Sequence, residues 1–306
     1  MTLGQGILAH ASSSARSARL REFGGDSELS LFLLSRRVEN CSKATLASYE
    51  DRIRRFLSIT GKPVSEIKKA DIELYLITLK DSGNSPHYIR TIYRNLGVFF
   101  NWLVAEDLLP QSPMRTLKLP KVPKYDKEFL AESDFRKVLS LCPLSDYRGA
   151  RNACWFWLLW TTGARWSELA NLSLSDLNWQ ASTIRVIGKG NKERQVPFTK
   201  DAQRAVYRYL KMRRDSHPDL WITEERTPMK KTGLGRVTRT MFQRGEIKVK
   251  DLHHIFRRSW AYRNLKAGVP LKFVQLVGGW DSVVVLEQYV RRMDSEDALG
   301  SNVKWQ

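Results

Sequence analysis

The chain has 306 residues, 42% of them hydrophobic, and carries 51 Lys and Arg against 32 Asp and Glu for a formal charge of +19. That length favours two domains and excludes a stapled mini-protein, and a positive excess shared by both halves of the sequence calls for a polyanionic partner. No apolar run is long enough for a membrane span and no basic amphipathic anchor is present; three widely spaced cysteines, Cys41, Cys142 and Cys154, argue against a disulfide framework or Cys-rich zinc site and fit a reducing cytosol.

Residues 1–26 read as a disordered lead-in. The first 21 lack acids and set Arg16, Arg19 and Arg21 among serines, a composition that overlaps with organelle transit peptides but shows no secretory signal. Residues 27–117 read as a helical domain. Apolar positions recur at three- and four-residue spacing through Tyr49, Ile53, Phe56 and Leu57, then Ile72, Leu76 and Leu79, then Ile89, Ile92, Tyr93, Leu96 and Phe100. Turn chemistry breaks the pattern at Gly61-Lys62-Pro63 and at Ser82 to Pro86. Residues 118–127 form an expected basic linker, since Pro110, Pro113, Pro120 and Pro123 bar a helix there and Lys118, Lys121 and Lys124 stand among them. Residues 128–306 are mixed. Helices are expected around Glu132 to Leu141, Ala150 to Thr161, Ser167 to Leu172, Ala202 to Arg214, His253 to Ala267 and Leu271 to Leu276. A hairpin pairs Thr183 to Ile187 with Arg194 to Phe198 across Gly188-Lys189-Gly190-Asn191.

Short segments of this second half carry the chemistry, and each also has a plain structural reading. TGARWSEL sets Arg165 after a glycine turn with Glu168 three residues on, where a carboxylate can orient a guanidinium; alone, such a pair is more often a surface ion pair. GKGNKERQVP places Lys189 at a glycine-flanked turn, and GxxxxGK[ST] is absent, so nucleotide binding is disfavoured; alone, this is a solvated lysine. HHIFRRSWA spaces His254 and Arg257 to face one phosphate from a helix. Adjacent His253 and His254 invite a metal, but lack the i, i+4 spacing and a third ligand, and either could be packed in the core. VGGWDSVVVLEQYVRR holds Trp280 and Tyr289, residue types that are normally core material.

Their order changes the weighing. The four segments resemble, in sequence, the first arginine box, the β-hairpin lysine, the His-x-x-Arg box and the terminal nucleophile box of the tyrosine recombinase family, also called the lambda integrase family. The segment from Ser42 to Leu117 is similar to that family's core-binding domain. Trp280, where many members have histidine, brings the terminal motif closest to Cre-type recombinases; Ala164 and Arg258 also depart from the common residues. The resemblance implies a mainly α fold with a small β-sheet: an α+β catalytic domain behind an all-helical N-terminal domain, the two closing as a clamp on double-stranded DNA.

It further implies that Tyr289 attacks phosphorus and becomes linked to the 3′ phosphate, and that a partner strand's 5′ hydroxyl then releases it within a tetramer passing through a Holliday junction. Arg165 and Arg257 would bind the phosphate, His254 and Trp280 would add donors, Glu168 would support Arg165, and Lys189 would protonate the leaving 5′ oxygen. Neither metal nor nucleotide is needed. Lys43, Arg90, Arg94, Lys121, Lys124, Lys192, Arg194, Arg236 and Arg239 are the expected DNA contacts, and the tail from Val290 to Gln306 an expected docking element between subunits. Type IB topoisomerase-like relaxation and a catalytically idle DNA-binding protein are the alternatives; the intact motif set disfavours the second. The expected location is the cytoplasm, on nucleoid or host-cell DNA.

Overall fold

The computed structural model describes residues 25–123 and 128–297, with the side chains of 25–27, Lys189 and 291–297 outside that description. The lead-in except its last residues, Lys124, and the tail beyond residue 297 therefore fall outside the described residues. The chain divides into two compact units, Met1–Tyr125 and Asp126–Gln306.

The first unit is helical. Helices α1 (Gly25–Val38), α2 (Lys43–Thr60), α3 (Lys69–Asp81) and α4 (Pro86–Ala105) start and stop where local chemistry dictates. Ser42 caps α2 by accepting from Thr45 N, and Gly61 ends it in the left-handed conformation at φ 63°. Ser85 caps α4 ahead of Pro86, whose missing N–H costs nothing in a first turn. The apolar stripe of α4, from Ile89 through Leu103, is buried against Phe32, Ile53, Phe56, Ile72 and Leu76. At about 1.5–3 kcal/mol for each fully buried large side chain, this stripe is the unit's main source of stability.

The second unit is built on helix α6 (Tyr147–Thr162), buried along nearly its whole length. Before it runs α5 (Glu132–Ser140); after it come α7 (Trp166–Ala170), strands β1 (Leu177–Asn178), β2 (Thr183–Ile187) and β3 (Glu193–Pro197), and α8 (Lys200–Met212). The strands form one antiparallel sheet in the order β1-β2-β3, with Ile184 opposite Val196 and Arg185 opposite Gln195. The remaining helices are α9 (Lys231–Arg244), α10 (Ile255–Lys266), α11 (Leu271–Gly278) and α12 (Val284–Asp297). Trp155 of α6 anchors the core, edge-on to Trp166 and Trp221, and donates its indole N–H to Thr238 at 2.9 Å.

Three elements of this unit depart from the sequence expectation. Strand β1 is two residues long, too short to leave a pattern. Helix α9 carries Gly233 and Gly235 and three threonines, poor helix formers that yield to the burial of Leu234, Thr238, Met241 and Phe242. Helix α12 begins in a β-branched run, and tertiary packing of Leu286 and Tyr289 outweighs that local cost. Among the described residues no helix is long and apolar enough to cross a membrane.

Candidate active site

The site is organised by the C-terminal end of α11. A helix end leaves its last carbonyls without intrahelical partners and carries partial negative charge, so it attracts cations. Here three successive carbonyls each receive a different arginine. Val277 O accepts from Arg194 Nε at 2.8 Å, Gly278 O from Arg257 Nη1 at 2.6 Å, and Gly279 O from Arg165 Nη2 at 2.7 Å. Arg257 Nη1 also donates to Gly163 O at 2.7 Å, and among the described residues its Nε and Nη2 hydrogens are left for another acceptor. Trp280 lies against the same guanidinium, 3.7 Å from ring centroid to Cζ.

Glycine is obligatory at two of these turns. Gly163 closes α6 at φ 65°, and a Cβ there would fall 2.3 Å from the Trp260 ring. Gly279 has φ 69°, and a Cβ would meet Arg194 Nε at 2.8 Å.

Glu168 fastens the cluster from the opposite side. Its carboxylate accepts the Arg165 backbone N–H at 2.6 Å and Arg165 Nη1 at 2.9 Å, and takes Arg194 through two parallel bonds of 2.9 and 2.7 Å. Burial opposes its ionisation, but the hydrogen bonds from Arg194 and Arg165 prevail and hold its carboxyl below the usual range. Arg257 is pushed down to about 9 by burial first and then by Arg165 and Arg194, which leaves it cationic at neutral pH. With one carboxylate among three guanidinium groups, the cluster retains positive charge for a bound anion.

Glu168→Gln should therefore destabilise the second unit, since an amide would set N–H groups against arginine donors. Breaking a buried pair typically costs about 3–5 kcal/mol, and the partial exposure of Arg165 argues for the lower end. The folded-state pKa of Glu168 is depressed, so its contribution is fully present above the unfolded value of about 4.3 and is lost as pH falls through the folded value. Thermal unfolding from pH 7 to pH 3 should show the wild type losing stability more steeply in acid than Glu168→Gln; parallel curves would contradict this account.

The other expected site residues are placed differently from one another. His254 stands at the cap position before α10 rather than within the helix, and it is exposed, with its backbone N–H donating to Asp251 Oδ1 at 3.3 Å. Its imidazole is held below the usual range by lost hydration first, with Arg258, Arg257 and His253 adding to the effect against Asp251. His253 is also exposed rather than packed in the core, its ring edge-on to Trp166 at 4.8 Å. Tyr289 is buried, 3% exposed, in a cluster with Trp260, Ala261, Val274 and Leu286. Burial raises its phenol above the usual value, partly offset by the cations Arg258 and Arg257. The cluster continues to the guanidinium site through Trp260, which stacks on Trp280 at 6.4 Å.

Lys189 begins the hairpin turn Lys189–Asn191. Its predecessor Gly188 touches the arginine cluster, since a Cβ there would lie 3.2 Å from Glu168 Oε1. The Lys189 side chain lies outside the described residues.

Of the expected DNA contacts, Lys43, Arg94 and Lys121 are exposed in the first unit, and Lys192, Arg236 and Arg239 in the second. Arg90 is half-buried with its Nε unpartnered among the described residues, and Lys124 lies outside them. Arg194 turns inward onto Glu168 and Val277 O, so its charge supports the cluster. Asp251 escaped the sequence reading. It pins the backbone of His254 and pairs with Arg258 Nη1 at 2.8 Å, and its only signal was an Asp three residues before the cap of a helix. No group of His, Cys, Asp and Glu suited to a metal occurs among the described residues.

Residues 128–296 match the model of the Phage integrase family, and residues 29–109 that of the Phage integrase, N-terminal SAM-like domain. The chain is 27% identical over 260 residues to Tyrosine recombinase XerC of Anoxybacillus flavithermus, covering 81% of this chain and 87% of the relative. In fold it is similar to a lambda integrase dimer bound to a COC′ core site, with TM-score 0.73, 16% identity, and coverage of 93% of this chain and 98% of that one. It is similar also to a lambda integrase tetramer bound to a Holliday junction, with TM-score 0.67, 16% identity, and coverage of 91% and 83%.

Proposed function

The chain belongs to the phage integrase family, and on that footing we propose that it is a tyrosine site-specific recombinase that cuts and rejoins double-stranded DNA through a 3′-phosphotyrosine. The observation that carries the reading is the row of carbonyls at Val277, Gly278 and Gly279, each holding an arginine. Such tethering prepays the orientation of guanidinium groups that must meet charge developing on a phosphate.

In this reading Tyr289 gives up its phenolic proton to water as Oη bonds to phosphorus and the P–O5′ bond breaks, and the departing oxygen leaves as a 5′ hydroxyl after taking a proton from Lys189. Arg165 and Arg257 bind the two non-bridging oxygens. The Trp280 indole N–H and the His254 imidazole add hydrogen bonds; a neutral histidine still has one N–H to give. A partner strand's 5′ hydroxyl then attacks the phosphotyrosine, passing its proton to Lys189, and the Tyr289 oxygen leaves and regains its proton from water. Rejoining requires partner active sites, and a tetramer on DNA with a Holliday-junction intermediate supplies them. The substrate sets the location, the cytoplasm wherever nucleoid or host-cell DNA lies. No step calls on a metal ion or a nucleotide.

The direct test uses a duplex selected from a random-sequence pool by tight binding, nicked so that the cleaved 5′ fragment diffuses away. In EDTA the full-length chain should form an adduct that survives denaturation. Trypsin should leave the DNA on the peptide Phe273–Arg291, which contains one tyrosine, Tyr289. A strict requirement for Mg²⁺, or attachment to another peptide, would overturn the proposal.

A further inference from the structure

Resting on the reading of Tyr289 as nucleophile, we propose that Phe129 is a positioning residue that holds the Tyr289 ring in its buried pocket until DNA engagement draws the strap Glu128–Leu130 off α10. This strap is the first described stretch after residues 124–127, just past the boundary between the two units.

Each strap residue is fastened to a different point of the second unit. Glu128 O accepts from Arg258 Nε at 3.2 Å, and its carboxylate accepts the Lys250 backbone N–H at 3.1 Å. Leu130 is buried, and its N–H donates to Ser259 Oγ at 2.7 Å; Ser259 in turn donates to Ile255 O at 2.8 Å. Between these anchors Phe129 lies stacked on Tyr262 at 4.3 Å and 25°, and meets Tyr289 edge-on at 5.6 Å and 79°. Both geometries are favoured arrangements for aromatic pairs. Phe129 thus forms one wall of the pocket in which Tyr289 is 3% exposed.

The chemistry needs Tyr289 elsewhere. An oxygen that must reach phosphorus cannot act while its ring is enclosed by Trp260, Val274, Leu286 and Phe129. Of the other walls, α10 carries Arg257 and the end of α11 the carbonyls that hold the arginines, so displacing them would disturb the phosphate site, while Leu286 shares α12 with Tyr289 and moves with it. The strap is the wall that can yield without doing so. It is also the chain segment that leads directly to the residues joining the two units. Pulling on it as DNA is engaged would remove the Phe129 edge from Tyr289 and leave the arginine cluster intact.

The test is single-turnover adduct formation by the full-length chain on the selected nicked duplex at saturating concentration. Phe129→Ala should speed adduct formation by roughly 2- to 10-fold, the worth of one aromatic pair, with duplex affinity unchanged. Ser259→Ala, which releases Leu130 N–H, should act in the same direction, and Phe129→Tyr should restore the wild-type rate. A purely structural role would lower thermal stability and slow the reaction or leave it unchanged, never accelerate it. Should Phe129→Ala fail to fold, Ser259→Ala decides. Unchanged or slower reaction in every folded variant overturns the strap, provided that Tyr289→Phe forms no adduct in the same assay. An adduct from Tyr289→Phe would instead remove the nucleophile reading itself.

Discussion

Tyr289→Phe will bind the selected duplex with wild-type affinity and form no covalent adduct. The substitution removes one oxygen and keeps the ring, and the ring's surroundings are apolar: Trp260, Ala261, Val274, Leu286 and the Phe129 edge. Phenylalanine fits that cluster without a cavity, so the change in stability should stay within about 1–2 kcal/mol, the range for one hydrogen-bonding group. Duplex affinity draws on charge spread over both units and on arginines tethered through other elements, which the substitution leaves in place. Cleavage by contrast has no substitute nucleophile within the cluster. The measurement is the fraction of nicked duplex retained by protein under denaturing conditions, alongside a binding isotherm. A residual adduct at more than a trace level would assign the attack to another side chain.

The raised phenol of Tyr289 bears on how that attack begins. Burial disfavours the phenolate, while Arg258 and Arg257 favour it. Release of the ring from its pocket would remove the first effect, which is the larger of the two.

Much of this was legible in the residues because the relevant signals are local. The Thr183–Ile187 strand, the glycine turn before Arg165 and the breaks at Gly61 and Pro86 all rest on the chemistry of a few adjacent positions. The arrangement around α11 was not, since it depends on three carbonyls meeting arginines 83, 21 and 114 positions away. Arg194 shows the difficulty plainly. A basic residue on a hairpin in a basic protein reads as a DNA contact, and only the fold reveals Glu168 beneath it. His254 likewise reads as a helical residue from its spacing to Arg257, yet it closes the turn Leu252–His254 and stands at the cap, its backbone N–H held by Asp251. The strap was hidden for another reason: Phe129 carries no motif, and its meaning comes from the rings of Tyr262 and Tyr289 on either side.

Lys189→Ala should slow cleavage of ordinary DNA by about 10²–10⁴-fold, the usual loss on removing a general acid. A 5′ alkoxide is a poor leaving group, so the P–O5′ bond breaks readily only if a proton arrives as it opens. The candidates are few. Arg257 remains cationic at neutral pH, and the planar forks of Arg165 and Arg257 suit charge on the non-bridging oxygens. Lys189 starts a turn whose preceding glycine lies against Glu168, which brings its backbone to the edge of the arginine cluster, and Gly190 on its other side adopts φ 73°. His254 is the rival donor, exposed at the start of α10. Sulfur in place of the bridging 5′ oxygen separates them, because a thiolate with a pKa near about 8.5 leaves without protonation. Lys189→Ala should cleave this substrate at nearly the wild-type rate while staying slow on the oxygen substrate. Arg165→Ala should be slow on both, since sulfur does nothing for charge on the non-bridging oxygens. If sulfur instead rescues His254→Ala and leaves Lys189→Ala slow, the proton comes from His254, and the lysine acts on the phosphate only through its charge.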